Sequence, residues 1–220
     1  MTGEPRSLLL IRTSALGDIV HSLPVLAALR QRYPEARIAW VVEEVFAPLL
    51  ARHAALDTVI PVATRRWRRS VGRSLPEVAA LVRRLRRFGA DVALDLMGNH
   101  KAGVLARLSG ARRRIGPRSP ERREPSSRVW INEPSPVAGS HAVDRVLSLL
   151  AALDAVPAVV DLAGEGLLPH VAPRAGTPPL LVHPGAGWGN KVYPPARWGA
   201  VARRLEQAAG LATAVAVAPG

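Results

Sequence analysis

The sequence predicts an α/β protein built on parallel sheets with helices on both faces, in two similar lobes. Three observations carry this reading. Short, wholly apolar runs alternate with longer segments of helical periodicity, an order that implies a parallel sheet covered on both sides. The runs are apolar throughout, as strands buried on both faces are. A proline-rich, aperiodic stretch at 156–179, with five prolines, then separates this series from a second one beginning at residue 180.

The elements follow in order. Leu8–Ile11 is a strand, and Ile19–Arg32 a helix with apolar residues at 19, 20, 23, 26, 27 and 29, stopped by Pro34. Ile38–Val42 is a strand, Glu44–Arg52 a short helix and Val59–Val62 a third strand. A basic segment, Thr64–Arg73, precedes a helix over Leu75–Phe88. Val92–Leu96 is a strand, Lys101–Leu108 a helix, and Arg113–Ile115 a short strand before a loop rich in Pro, Ser and Arg. His141–Leu153 reads as one helix. The second series contains a strand at Leu180–His183, a helix at Pro195–Ala209 and a strand at Leu211–Ala218. The expected domains are therefore 1–155, a linker at 156–179, and 180–220. Two strands make a sheet too small to stand alone, so the second lobe is expected to be incomplete in this chain.

With 220 residues, 48% of them hydrophobic, the chain can bury a sizeable core. It has no cysteine, which excludes disulfides, thiolate metal sites and a cysteine nucleophile. No signal-like segment opens it and no run of roughly 18 apolar residues occurs, so a cytoplasmic location is expected. The net charge of +13 comes almost wholly from arginine, Lys101 and Lys191 being the two lysines. Such a surface attracts polyanions: nucleic acid, anionic headgroups or phosphorylated substrates. A GC-rich coding sequence that writes Arg for Lys would also raise the count, but it does not explain local clusters.

Four segments could carry chemistry. The loop Thr13-Ser14-Ala15-Leu16-Gly17-Asp18 joins the first strand to the first helix, where open α/β sheets bind ligands. Gly17 permits close backbone approach or a positive φ. Asp18 is either the N-cap of a helix starting at Ile19 or a carboxylate base in the cleft. His21, one turn on, is a partner or a surface polar residue. Arg65-Arg66-Trp67-Arg68-Arg69 cannot form a packed helix face; it is a solvated loop or a clamp for carboxylate and phosphate. Arg112–Arg114 with Arg118, Arg122 and Arg123 follows another strand and could face the same cleft. His183-Pro184-Gly185-Ala186-Gly187-Trp188-Gly189-Asn190-Lys191 lies between a strand and a helix and suits a diphosphate, although it is neither a Walker A loop nor a dinucleotide fingerprint. Asp95-Leu96-Met97-Gly98-Asn99-His100-Lys101 reads as helix capping with a surface lysine, or as part of the cleft.

Together these segments resemble glycosyltransferase family 9, the lipopolysaccharide heptosyltransferases. The loop from Thr13 to His21, followed by Leu23-Pro24, is similar to the family's opening motif. Trp40-Val41-Val42-Glu43-Glu44, Val59-Ile60-Pro61-Val62, Arg65–Arg69, Arg123-Glu124-Pro125 and His141-Ala142-Val143-Asp144-Arg145 resemble the heptosyltransferase I subfamily, and His183–Lys191 its nucleotide loop. Tyr193 stands where many members have Trp.

The resemblance implies a GT-B architecture: two Rossmann-like lobes facing one cleft, the second incomplete here. It implies an inverting transferase needing neither metal nor cofactor. The donor would be ADP-heptose and the acceptor Kdo of lipid A, with peripheral attachment to the inner face of the inner membrane and no nucleic-acid partner. By the same resemblance Asp18 is the catalytic base. Ser14, Gly17, Arg65, Arg66, Arg68, Arg69, Lys101 and Arg123 bind the acceptor. Gly185, Ala186, Gly187 and Lys191 bind the donor. The alternatives are a heptosyltransferase of type II or III, or a non-catalytic basic fragment that binds anions or nucleic acid.

Overall fold

The computed structural model describes residues 4–68, 71–158, 179–185 and 192–216. The chain divides into two compact units, Met1–Pro169 and His170–Gly220. Residues 159–178, most of the expected linker, lie outside the described residues.

The first unit is a parallel sheet of six strands: β1 (Ser7–Ile11), β2 (Arg37–Glu43), β3 (Thr58–Val62), β4 (Val92–Asp95), β5 (Arg113–Pro117) and β6 (Glu133–Ser135). Their spatial order is β3-β2-β1-β4-β5-β6. The chain moves outward from β1 through β2 to β3, then crosses to β1's other side for β4. The carboxyl ends of β1 and β4 thus flank a topological switch point, where such sheets leave a crevice.

Alternate residues of each strand enter two cores. Leu8, Leu10, Trp40, Val42 and Leu94 face one layer of helices: α1 (Leu16–His21), α2 (Leu23–Arg32), α3 (Ala47–Leu50) and α7 (Ala142–Leu147). Leu9, Ile11, Val41, Ile60 and Ala93 face α5 (Val71–Phe88) and α6 (His100–Leu108). Both faces are covered, which is why the strands carry no polar alternation.

Several expected elements are divided or extended. The single helix expected at Ile19–Arg32 is two, because Pro24 has no N–H to donate and its ring would meet the carbonyl of Val20. Ser22 ends α1 and opens α2, and its hydroxyl bonds the Asp18 carbonyl at 2.8 Å. The helix expected at Glu44–Arg52 is a 3-10 turn, Glu44–Phe46, followed by α3. The basic segment contains one helical turn, α4 (Thr64–Trp67), and α5 begins at Val71 rather than Leu75. The helix expected at His141–Leu153 is α7 and then a 3-10 turn, Ser148–Leu153; the Ser148 hydroxyl bonds the Arg145 carbonyl at 2.8 Å there. The loop after β5 holds a 3-10 segment, Pro125–Trp130, and the unexpected strand β6. β6 escapes sequence patterning because it is three residues long with Pro134 at its centre, a position tolerated at a sheet edge.

The second unit contains β7 (Leu180–Val182), α8 (Pro195–Ala209) and β8 (Thr213–Val215), with β7 and β8 parallel. Gly210 closes α8 in the left-handed conformation, at φ 63°.

Candidate active site

The loop after β1 sets out the first group. Arg12 leaves the strand end, and its guanidinium reaches Asp18 at 3.0 Å. Asp18 is not an N-cap. The helix starts earlier, at Leu16, so Asp18 is its third residue and accepts the N–H of Ala15 at 3.1 Å. The carboxylate is therefore held from two sides while 39% of its side chain remains exposed. Gly17 does not supply a positive φ; it lies in the first turn of α1, with open space where a Cβ would sit. Ser14 is half-buried in the same loop.

Arg12 is 14% exposed, and burial lowers its pKa against the opposing pull of Asp18. It also donates to the Leu96 carbonyl and feels the charges of Asp95 and Arg123. A crevice lined by Arg12, Met97, Glu121, Arg123 and Arg145 lies here. His21 faces His141 with ring centroids 5.6 Å apart, and the His141 ring caps α7 by accepting the Val143 N–H.

A second group lies at the ends of β2 and β3. Glu43, the last residue of β2, is almost fully buried. It accepts the Thr64 hydroxyl and faces Lys101 at 3.7 Å. Burial lowers the Lys101 pKa; Glu43 opposes this, and Arg68 and Arg65 add to it. Lys101, Arg65 and Arg68 are thus one electrostatic group. Among the described residues, Arg65 and Arg68 have no carboxylate partner. Arg66 differs: it is held by Glu77 at 2.7 Å and Glu44 at 3.3 Å, and the Trp67 indole N–H also bonds Glu77 at 2.8 Å. Of the expected clamp, two arginines are open and one is engaged. Arg69 lies outside the described residues.

The second arginine cluster does not act as a unit. Arg113 opens β5, pairing with Val92, so Arg112–Arg114 sit at the amino end of the sheet, away from the crevice. There Arg113 bonds Glu133 at 2.7 Å. Arg118 pairs with Glu121 at 2.8 Å. Arg122 is fully buried against Asp95, and among these arginines it is Arg123 that lines the crevice. Asp95 accepts the N–H groups of Met97 and Gly98, while Asn99 caps α6 by accepting the Ala102 N–H at 3.0 Å.

Arg12, Glu43 and Arg145 carry no motif that marks them as site residues, and Arg122, expected to face the cleft with its cluster, is instead buried against Asp95. Arg12 had a signal, as the first residue beyond the buried strand. Glu43 and Arg145 have partners 20 or more residues away, as does Arg122 in Asp95, and local patterning does not reach that far. In the second unit, exposed Gly185 follows β7 and the His183 ring lies 3.3 Å from the Ala216 carbonyl. Ala186, Gly187 and Lys191 lie outside the described residues. Among the described residues no three His, Asp or Glu side chains converge as metal ligands would, and no helix is long and apolar enough to cross a membrane.

The first unit is a doubly wound lobe with a carboxylate, Asp18, paired to Arg12 at its switch point and with Arg123 lining the crevice beside them. The chain belongs to glycosyltransferase family 9 (heptosyltransferase), whose family model matches residues 78–219. It is 35% identical over 202 residues to lipopolysaccharide heptosyltransferase 1 of Pseudomonas aeruginosa, covering 90% of this chain and 57% of the relative. It is 35% identical over 147 residues to lipopolysaccharide heptosyltransferase 1 of Escherichia coli, covering 65% and 46%. The structure of E. coli heptosyltransferase WaaC with ADP-2-deoxy-2-fluoro heptose superposes with a TM-score of 0.81 at 28% identity, over 97% of this chain and 69% of that one. The structure of E. coli ADP-heptose lps heptosyltransferase II shares the fold, with a TM-score of 0.65 at 20% identity over 95% and 63%. The α/β reading and the GT-B resemblance hold, and the chain spans between about half and two thirds of these relatives.

Proposed function

We propose that the full-length protein is an inverting glycosyltransferase that moves L-glycero-D-manno-heptose from ADP-heptose to Kdo of lipid A. The observation that carries the reading is Asp18: a half-exposed carboxylate oriented by Arg12 and the Ala15 N–H at the switch point, in a chain 35% identical to a heptosyltransferase 1 over nine tenths of its length. Asp18 takes the proton of the attacking Kdo hydroxyl. The oxygen then attacks the anomeric carbon of the heptose from the face opposite the leaving ADP, with inversion. A positioned base of this kind contributes roughly 10²–10⁴-fold. Arg65, Arg68, Arg69, Lys101 and Arg123 meet the carboxylates and phosphates of the acceptor, and Arg66 joins them by exchanging Glu44 and Glu77 for the ligand. Ser14 and Gly17 line the acceptor side of the loop. Lys191 and the backbone of Gly185, Ala186 and Gly187 meet the charge growing on the diphosphate. The protein works in the cytoplasm, at the inner face of the inner membrane.

The test is ADP release by the full-length protein given ADP-heptose and Kdo-lipid A together, with each omitted in turn. Release that needs both supports the reading. Release with another acceptor alone moves the function to a type II or III sibling.

A further inference from the structure

We infer that the buried Asp95–Arg122 pair is a positioning device that sets the cleft-facing Arg123, and with it acceptor affinity. The inference rests on the reading of Arg123 as an acceptor contact.

Both side chains of the pair are 0% exposed. A guanidinium in that position is poorly explained by stability, since desolvation of such a pair offsets most of its attraction. What the pair does is geometric. Asp95, the last residue of β4, turns the chain by accepting Met97 N–H at 2.9 Å and Gly98 N–H at 2.8 Å. Its other oxygen receives Arg122. The Arg122 fork is filled on its remaining edges by the Pro117 carbonyl at 2.9 Å and the Ser127 hydroxyl at 2.8 Å. The loop from 117 to 127 is thereby drawn onto the end of β4 at both of its ends.

Arg123 is the next residue, and its backbone is packed against Gly98. Gly98, in the left-handed conformation at φ 64°, lies so close that a Cβ there would stand 3.2 Å from the Arg123 nitrogen. The Glu124 N–H bonds the Gly98 carbonyl at 3.0 Å. Gly116 leaves room for the pair itself: a Cβ on it would be 3.1 Å from both Arg122 and Asp95. The same turn presents the Leu96 carbonyl to Arg12. Arg122 touches no open surface, so it acts through its neighbour and not on a ligand.

The experiment is a double-mutant cycle read by equilibrium binding of detergent-dispersed Kdo-lipid A to the full-length protein. Arg122→Lys keeps the charge and loses the fork. It is expected to weaken acceptor binding about tenfold, a coupling typical of contacting residues, while ADP-heptose binding stays unchanged. In an Arg123→Ala background the same change is expected to have no further effect. An equal loss in both backgrounds, a loss of donor affinity, or an Arg123→Ala variant with unaltered acceptor binding overturns the inference. Should Arg122→Lys fail to fold, Ser127→Ala replaces it in the cycle, removing one acceptor from the fork while leaving the ion pair. ADP release is measured separately. An intact cycle without turnover would end the transferase reading alone; turnover with an additive cycle would end the positioning role alone.

Discussion

Asp18 and Arg12 are six residues apart in sequence and 3.0 Å apart in space, and the chemistry proposed for the lobe depends on what each does for the other. The carboxylate is anchored through one oxygen by Arg12 and through the other by the Ala15 N–H. Asp18→Ala should lower kcat by roughly 10²–10⁴-fold with donor binding intact, which steady-state ADP release together with donor titration would measure. An unchanged kcat would leave Asp18 with only its bonds to Arg12 and to the start of α1. Arg12→Met removes the guanidinium and keeps most of the buried stem. It should also lower kcat, by less than loss of the base itself, because the carboxylate then samples other rotamers. The loop was legible in the sequence as a strand-to-helix turn holding an acid and a glycine. The acid's function was not, because capping and catalysis ask for the same residue type at the same place. The fold adds that the helix starts at Leu16, so Asp18 caps it from the third position through the Ala15 N–H and also bonds Arg12, and both are three-dimensional facts.

Elements were legible to the degree that their stabilising contacts are local. Strands β1, β2 and β4 are buried on both faces, so their apolar runs identify them. β6 is held by the edge of β5 and has no pattern of its own. The Pro24 break in the first helix was signalled by residue type, yet the apolar spacing continues across it because α1 and α2 pack in the same core. α6 illustrates how an element positions the site. Asn99 caps it, and Asn99→Ala should cost about 1 kcal/mol, measurable by denaturant unfolding. Gly103, one turn inside, lies against Trp130, where an added Cβ would approach to 2.7 Å. Gly103→Ala should therefore push the Pro125–Trp130 turn away from α6, at a cost of about 1–3 kcal/mol from overpacking. A Gly103→Ala variant as stable as the parent would mean that Trp130 swings aside freely. That is unexpected, since its indole N–H is tied to the His100 ring at 3.0 Å.

At the scale of the molecule, protonation and charge set two responses. His53 is buried between α3 and β3, and burial lowers its pKa from the ordinary 6.5. Its Nδ1 accepts the Ala55 N–H at 3.2 Å, a role that requires that nitrogen to be unprotonated. The unfolded chain thus binds a proton at higher pH than the folded one, so stability is full above pH 6.5 and falls as the pH drops below it. Denaturant midpoints at pH 8 and pH 5.5 should show this slope, and His53→Gln should flatten it.

Individual arginines at the two ends of the six-stranded sheet differ in their partners, which allows a test that keeps the total charge constant. At the amino end of the six-stranded sheet Arg30, Arg32 and Arg113 are matched to Asp57, Glu4 and Glu133. At the carboxyl end Arg12 and Arg66 are matched to Asp18, Glu44 and Glu77, while Arg65, Arg68 and Arg123 have no carboxylate partner among the described residues. A membrane carrying anionic lipid should therefore attract the carboxyl end, and each cation near it is worth about 1 kcal/mol. Replacing Arg65 and Arg68 together with Gln should weaken binding of the full-length protein to vesicles rich in anionic phospholipid by roughly thirtyfold at low salt. It should also shrink the salt dependence, because fewer charges remain to be screened over a Debye length of about 10 Å at 0.1 M. Replacing Arg30 and Arg113 with Gln removes the same formal charge from the opposite end. If binding follows position, that variant should keep nearly the parent's affinity. Equal losses from the two pairs would mean that the vesicle reads only the total charge, and that no particular edge of the sheet faces the membrane.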